Sequence, residues 1–169
     1  LADLKTIDGF TTGQVTYNGL SGTYTELMAS SLVTSTMSVS ITDAFVTLTQ
    51  LAALDNKADS VQFVGVSGSI ESLLNSVYVT GDINVRPTDL PTTATGLDAL
   101  AARISGDISF DLTSVEQFDT LVGLKLTSYW TADLVDTYEN LRSLTQGDTR
   151  NINIKLFEDA AGTLTVQER

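Results

Sequence analysis

The sequence predicts an α/β solenoid of about seven strand-turn-helix units. Three observations predict it. First, the chain repeats itself. GLSGTYTELMAS (Gly19–Ser30) and GVSGSIESLLNS (Gly65–Ser76) lie 46 residues apart and agree at Gly19/Gly65, Ser21/Ser67, Gly22/Gly68, Leu27/Leu73 and Ser30/Ser76. Second, short segments with apolar residues two apart recur along the chain, the period of a half-buried strand. Third, the segments between them carry apolar residues at i, i+3 and i+6, a stripe on one helix face.

The elements follow in order. LADLKTID (Leu1–Asp8) matches LTQLAALD (Leu48–Asp55), with Leu1, Leu4 and Ile7 falling on Leu48, Leu51 and Leu54, and Asp8 on Asp55. Both predict helices. VTYNG then reads as a strand and matches VQFVG. In the Gly-x-Ser-Gly phrases Gly is expected to supply positive φ in a tight strand-to-helix turn, with Ser or Thr capping the helix. Thr23-x-x-Glu26, Thr47-x-x-Gln50 and Ser114-x-x-Gln117 fit capping boxes, in which side chains satisfy orphan N–H groups. MSVSITD (Met37–Asp43) matches INVRPTD (Ile83–Asp89), again as strands. Pro87 and Pro91 belong in the loop leading to the helix TGLDALAARI, which carries Leu97, Leu100 and Ile104. ISFDL and NINIKL continue the strand series, LKLTSYW (Leu124–Trp130) is expected as a further strand, and ADLVDTYENLRSL as a helix through Leu134, Tyr138, Leu141 and Leu144.

The strand starts at Val15, Met37, Val61, Ile83 and Ile108 are separated by 22, 24, 22 and 25 residues, so one unit spans 22–25 residues and two make the 46-residue repeat. The whole chain, 1–169, reads as one repeat domain with approximate repeats 1–46, 47–92, 93–130 and 131–169, the last a truncated or capping unit. Strand, helix, strand in one direction gives parallel pairing. Stacked units would form a single-sided solenoid like the horseshoe of leucine-rich repeats. The alternative is a two-layer α/β sheet domain.

Composition narrows function. With 21 acidic against 9 basic residues the net charge is −12, which argues against nucleic acid as a partner. No apolar run approaches the ~20 residues of a membrane span. Cysteine and histidine are absent, so thiolate and histidine chemistry, and zinc sites built on them, have no ligands. Ser21 and Ser67 lack the surroundings of a nucleophile elbow. The repeated acids Asp8/Asp55 and Asp43/Asp89 raise a calcium ladder as a minor reading, without an EF-hand pattern; Asp43 and Asp89 are expected instead to cap the turn that follows them. No other cofactor and no catalytic residue is expected. Tyr129-Trp130, the richest aromatic spot, is the candidate glycan or partner contact, against the plainer reading of the tryptophan as core.

The segments LADLKTID, TTGQVTYNGLSGTYTELMAS, TLTQLAALD and SVYVTGDINVRPTD resemble tandem repeats of very large bacterial cell-surface and secreted proteins of adhesin-like, hemolysin-like and surface-layer-like kinds. The resemblance covers residues 1–90 well and the remainder loosely. It implies an extracellular, non-enzymatic scaffold, cut from something longer, whose partners are copies of itself or further repeats. An adhesin or receptor-binding module is the alternative.

Overall fold

The structure, a computed structural model, describes residues 6–7, 9–10, 12, 17–125, 129–144 and 152–156. Most of the expected helix over Leu1–Asp8, the strand expected from Val15 and the terminal segment after Leu156 lie outside the described residues. The fold is mixed α/β. In chain order the elements are β1 (Gly19–Gly22), α1 (Tyr24–Ala29), β2 (Ser38–Ile41), β3 (Val46–Thr47), α2 (Leu48–Asp55), β4 (Ser60–Gln62), β5 (Gly65–Gly68), α3 (Ile70–Leu74), β6 (Asn84–Pro87), α4 (Ala94–Ala101), β7 (Ser109–Leu112), α5 (Val115–Gly123), β8 (Thr131–Asp136), α6 (Tyr138–Leu141) and β9 (Ile152–Leu156).

These strands form three sheets ordered β1-β2-β4, β3-β5-β6 and β7-β8-β9, and every pair is parallel. Leu20 sits opposite Val39, and Val39 opposite Val61. Val66 lies between Val46 and Val85. Ala132 lies between Phe110 and Ile152. A parallel bridge from Val85 to Ile108 links the second sheet to the third. The first two sheets are joined along the chain itself, since β3 follows β2 and β5 follows β4 after short connections.

Alternation decides which face is covered. Leu20, Val39, Ile41, Val66, Val85, Phe110, Leu112 and Leu134 point to one side and are buried, together with Leu27, Leu51, Leu54, Leu73, Leu97, Leu100, Phe118 and Leu121 of the helices, in one hydrophobic core. Each such leucine contributes about 1.5–3 kcal/mol by leaving water. The opposite side carries Ser21, Ser38, Ser40, Gln62, Asn84, Arg86, Asp111 and Asp133, all exposed or half-buried. Among the described residues, no helix is long and apolar enough to cross a membrane.

Several sequence expectations need correction; Pro87, expected in a loop, is the last residue of β6. The Gly-x-Ser-Gly phrases are strands β1 and β5 rather than turns, and none of their glycines has positive φ; among described glycines only Gly81 does, at 76°. Gly65 is required by close approach instead: a Cβ there would collide with the Ala44 carbonyl oxygen and lie 2.8 Å from the Phe45 ring. A further correction concerns LKLTSYW. Its described ends are not strand, and the strand begins at Thr131. The stretch assigned to a long helix therefore starts as β8, and only Tyr138–Leu141 is helical. Spacing was ambiguous there, because Leu134 and Tyr138 satisfy both periods; pairing with β7 and β9 on either side decides for strand.

Candidate functional site

Among the described residues, one polar arrangement recurs between a helix and the strand that follows it. Tyr24, the first residue of α1, donates its N–H to Asp43 Oδ2 at 2.6 Å. Ile70, the first residue of α3, donates to Asp89 Oδ1 at 2.7 Å. Val115, the first residue of α5, donates to Asp136 Oδ2 at 2.8 Å. Each acid stands at or just after the end of the next strand, so it satisfies an orphan donor of the preceding helix, where a negative charge also meets the positive end of the helix dipole. Asp43 and Asp89 thus cap backward rather than the turn that follows them. The helices keep their own caps as well: Thr23 with Glu26 and Thr47 with Gln50 form full capping boxes, and Ser69 and Ser114 accept from Ser72 and Gln117. The expected box at Ser114 is offset by one residue, because the Gln117 amide oxygen accepts from the N–H of Thr113.

The other ends of α1 and α3 are capped by cations. Lys57 Nζ donates to the carbonyls of Leu27, Met28 and Ser30 at 3.1, 2.7 and 2.7 Å. Arg103 donates to the Leu74 carbonyl and, at 2.7 Å, to that of Ser76. Lys57 and Arg103 are 46 residues apart, as are Met28 and Leu74, and Ser30 and Ser76. Sequence reading missed this pair, although Leu54-x-x-Lys57 and Leu100-x-x-Arg103 repeat the same phrase. It also missed Asp136, 47 residues after Asp89, as the third member of the acid series.

The residues singled out from sequence are not brought together. Trp130 is 7% exposed, edge-on to Phe110 at 6.2 Å and tilted against Phe118 at 6.2 Å. Tyr129 is 66% exposed. Neighbours in an extended segment point to opposite sides, so the two rings do not form one platform. Ser21 and Ser67 lie on the polar side of β1 and β5, opposite Ser40 and Arg86. Asp55 accepts from the Tyr78 hydroxyl at 3.1 Å; burial first, then this hydrogen bond and the carboxylate charge, raise the tyrosine above its ordinary pKa. Asp8 lies outside the described residues. Among those described, no three acidic side chains converge on one point that could hold a metal ion.

On the polar side of the sheets, Arg86 lies 4.1 Å above the Phe45 ring and pairs with Asp111 at 3.0 Å. On the helix side, a groove of about 350 Å³ opens between α3 and α4, lined by Ile70, Glu71, Leu74, Leu90, Pro91 and Gly96 among others. The helix-end hydrogen bonds tie the ends of α1, α3 and α5 to residues of the segments that follow them in the chain. Comparison of the chain with protein-family models, with curated proteins and with solved structures returned no match.

Proposed function

We propose that this chain is a structural repeat segment of an extracellular surface protein, filament or layer, and that its parallel strands and helices stack as a solenoid whose work is spacing and assembly. One observation carries the reading. The helix-end donors and acceptors of α1 and α3 are satisfied at both ends by charged side chains of the following unit. Charged side chains spent on joining similar units suit a chain to stacking, and stacking units is how repeat proteins build length. The acidic surface, the absence of cysteine and the repeat resemblance agree with placement outside the cell. Negative-stain electron microscopy and sedimentation of the purified chain test the reading. Rods, sheets or concentration-dependent association are expected, and a chain that stays monomeric up to about millimolar concentration overturns it.

A binding module is the second reading, favoured by Tyr129, a large aromatic side chain left 66% exposed. Glycan-array screening of the chain and of Tyr129→Ala tests it; absent binding, or binding indifferent to the substitution, removes it.

A further inference from the structure

We propose that Asn18 is a site of spontaneous deamidation. The backbone nitrogen of Gly19 attacks the Asn18 side-chain amide, and with age the chain carries aspartate or isoaspartate at that position. The chemistry belongs to the folded chain alone and does not depend on what the chain assembles with.

Asn18 and Gly19 form the single asparagine–glycine pair of the sequence. Glycine has no Cβ to hinder the approach of its nitrogen to the preceding side chain. Asn18 is exposed in the bend just before β1, and Gly19, also exposed, is the first residue of that strand. Packing favours glycine there, since a Cβ at position 19 would lie 3.2 Å from the Ser38 carbonyl oxygen. The second double unit keeps the glycine as Gly65 but places Val64 before it, so the reactive pair occurs once.

Backbone direction leaves the nucleophile out of the strand ladder. The Gly22 carbonyl accepts from the Thr42 N–H at 2.9 Å, so the backbone groups of Gly22, and of Leu20 two residues before it, face β2. Alternation then turns the Gly19 N–H away from β2. After Asn56, Asn75, Asn84 and Asn140 the corresponding N–H is held. Lys57 donates to the Leu54 carbonyl at 2.9 Å, Ser76 to Leu73 at 3.2 Å, Val85 to Asp107 at 2.8 Å and Leu141 to Thr137 at 3.0 Å. A nitrogen held inside the fold must first open locally, which slows its attack. Side chains are held as well. Asn84 Oδ1 accepts from the Asp107 N–H, and the amides of Asn140 and Asn153 donate to Asp136 and Asp133. Asn151 lies outside the described residues. Among those described, none holds the Asn18 amide.

The step balances without an oxidant or reductant. The Gly19 nitrogen bonds to Asn18 Cγ as its proton passes to solvent base. The Cγ–Nδ2 bond breaks, and that nitrogen leaves as ammonia. One water then opens the resulting cyclic imide. Attack at Cγ gives aspartate; attack at the main-chain carbonyl gives isoaspartate, in which the backbone runs through Cβ. Either product adds a negative charge. Isoaspartate also lengthens the backbone by one atom immediately before the Gly19–Ser38 pair, on the outer strand of the first sheet.

The full chain is incubated in mildly alkaline buffer, folded and in urea, and its peptides are mapped by electron-transfer mass spectrometry. Labelling by an isoaspartyl methyltransferase gives an independent readout. In the folded chain Asn18 is expected to convert at least about tenfold faster than Asn75, whose successor Ser76 is also small. Urea should raise the rate at Asn75 by about tenfold or more and at Asn18 by less than about threefold, because unfolding releases the Ser76 N–H from its bond to Leu73. Asn18→Gln closes the larger ring far more slowly and should remove the early isoaspartyl label. Equal folded rates at Asn18 and Asn75, acceleration by urea at Asn18 matching that at Asn75, or an early label that survives Asn18→Gln overturns the proposal.

Discussion

The carboxylate of Asp43 accepts a 2.6 Å hydrogen bond from the backbone N–H of Tyr24, the first residue of the helix one unit back. Asp89 repeats the contact with Ile70. Asp43→Ala leaves that donor without its partner and removes a charge from the positive end of α1, at an expected cost of about 1–2 kcal/mol. Asp89→Ala should cost the same, and the double substitution their sum, because the two sites share no partner. Urea unfolding measures it. An unchanged midpoint for Asp43→Ala would mean that water replaces the carboxylate at no cost.

Lys57→Met keeps the apolar stem and deletes the donor shared by three carbonyls at the end of α1. The expected loss is about 1–2 kcal/mol, and Arg103→Met should match it at α3. Ser30 is 4% exposed, so the contact is sheltered and the deficit should persist in about 1 M salt. Arg142 and Glu139 form an exposed pair, with side chains 64% and 68% accessible; Arg142→Met should change stability by less than about 0.5 kcal/mol. Unfolding midpoints at low and high salt separate the two cases.

Much of this framework was legible in the sequence, for a physical reason. Leu27 and Leu73 are expected as core from their repeat positions and are fully buried; the capping boxes at Thr23 and Thr47 appear as read. Local patterns are legible because they depend on neighbours three or four residues away. What escaped reading depends on residues about twenty to thirty positions off: the unit period sets those segments near one another but does not say which side chains touch. Asp136 makes its contact with Val115 across two strands. Gly65 is glycine because Ala44 and Phe45 press on it. β8 is a strand because β7 and β9 pair with it.

Acid should destabilise the chain partly through Asp136. The Asn140 side-chain amide and the Val115 N–H, with a smaller contribution from the Thr137 N–H, hold this carboxyl below its ordinary pKa against the opposing effect of burial. A carboxyl depressed in the folded state contributes stability at pH values above its unfolded pKa, near 3.9, and loses it as pH falls through the folded value. Melting temperature should therefore drop below about pH 4, and Asp136→Asn should lower the plateau near neutrality while flattening the acid limb. An acid limb as steep in the variant as in the parent would place the titration elsewhere. Tyr78 gives the opposite sign at high pH. Its raised pKa supports the fold below about pH 10 and stops doing so as pH rises through the folded value, so Tyr78→Phe should remove that part of the alkaline loss.

Two glycine-to-alanine substitutions should move stability in opposite directions, and the contrast separates crowding from chain entropy. At Gly123, the last residue of α5, a Cβ meets nothing within 4 Å, and its φ is not positive. Gly123→Ala should stabilise by about 0.5–1 kcal/mol, through a less disordered unfolded chain. At Gly65 the added Cβ strikes the Ala44 carbonyl oxygen and the Phe45 ring, and that ring lies under the Arg86 guanidinium, itself paired to Asp111. Gly65→Ala must displace the Ala44–Phe45 connection and should cost about 1–3 kcal/mol. Adding Phe45→Ala distinguishes the two clashes. It removes the ring but leaves the backbone carbonyl in place, so it should recover only part of the loss. Full recovery would assign the crowding to the ring alone, and a neutral Gly65→Ala would show that the connection between β2 and β3 yields without cost.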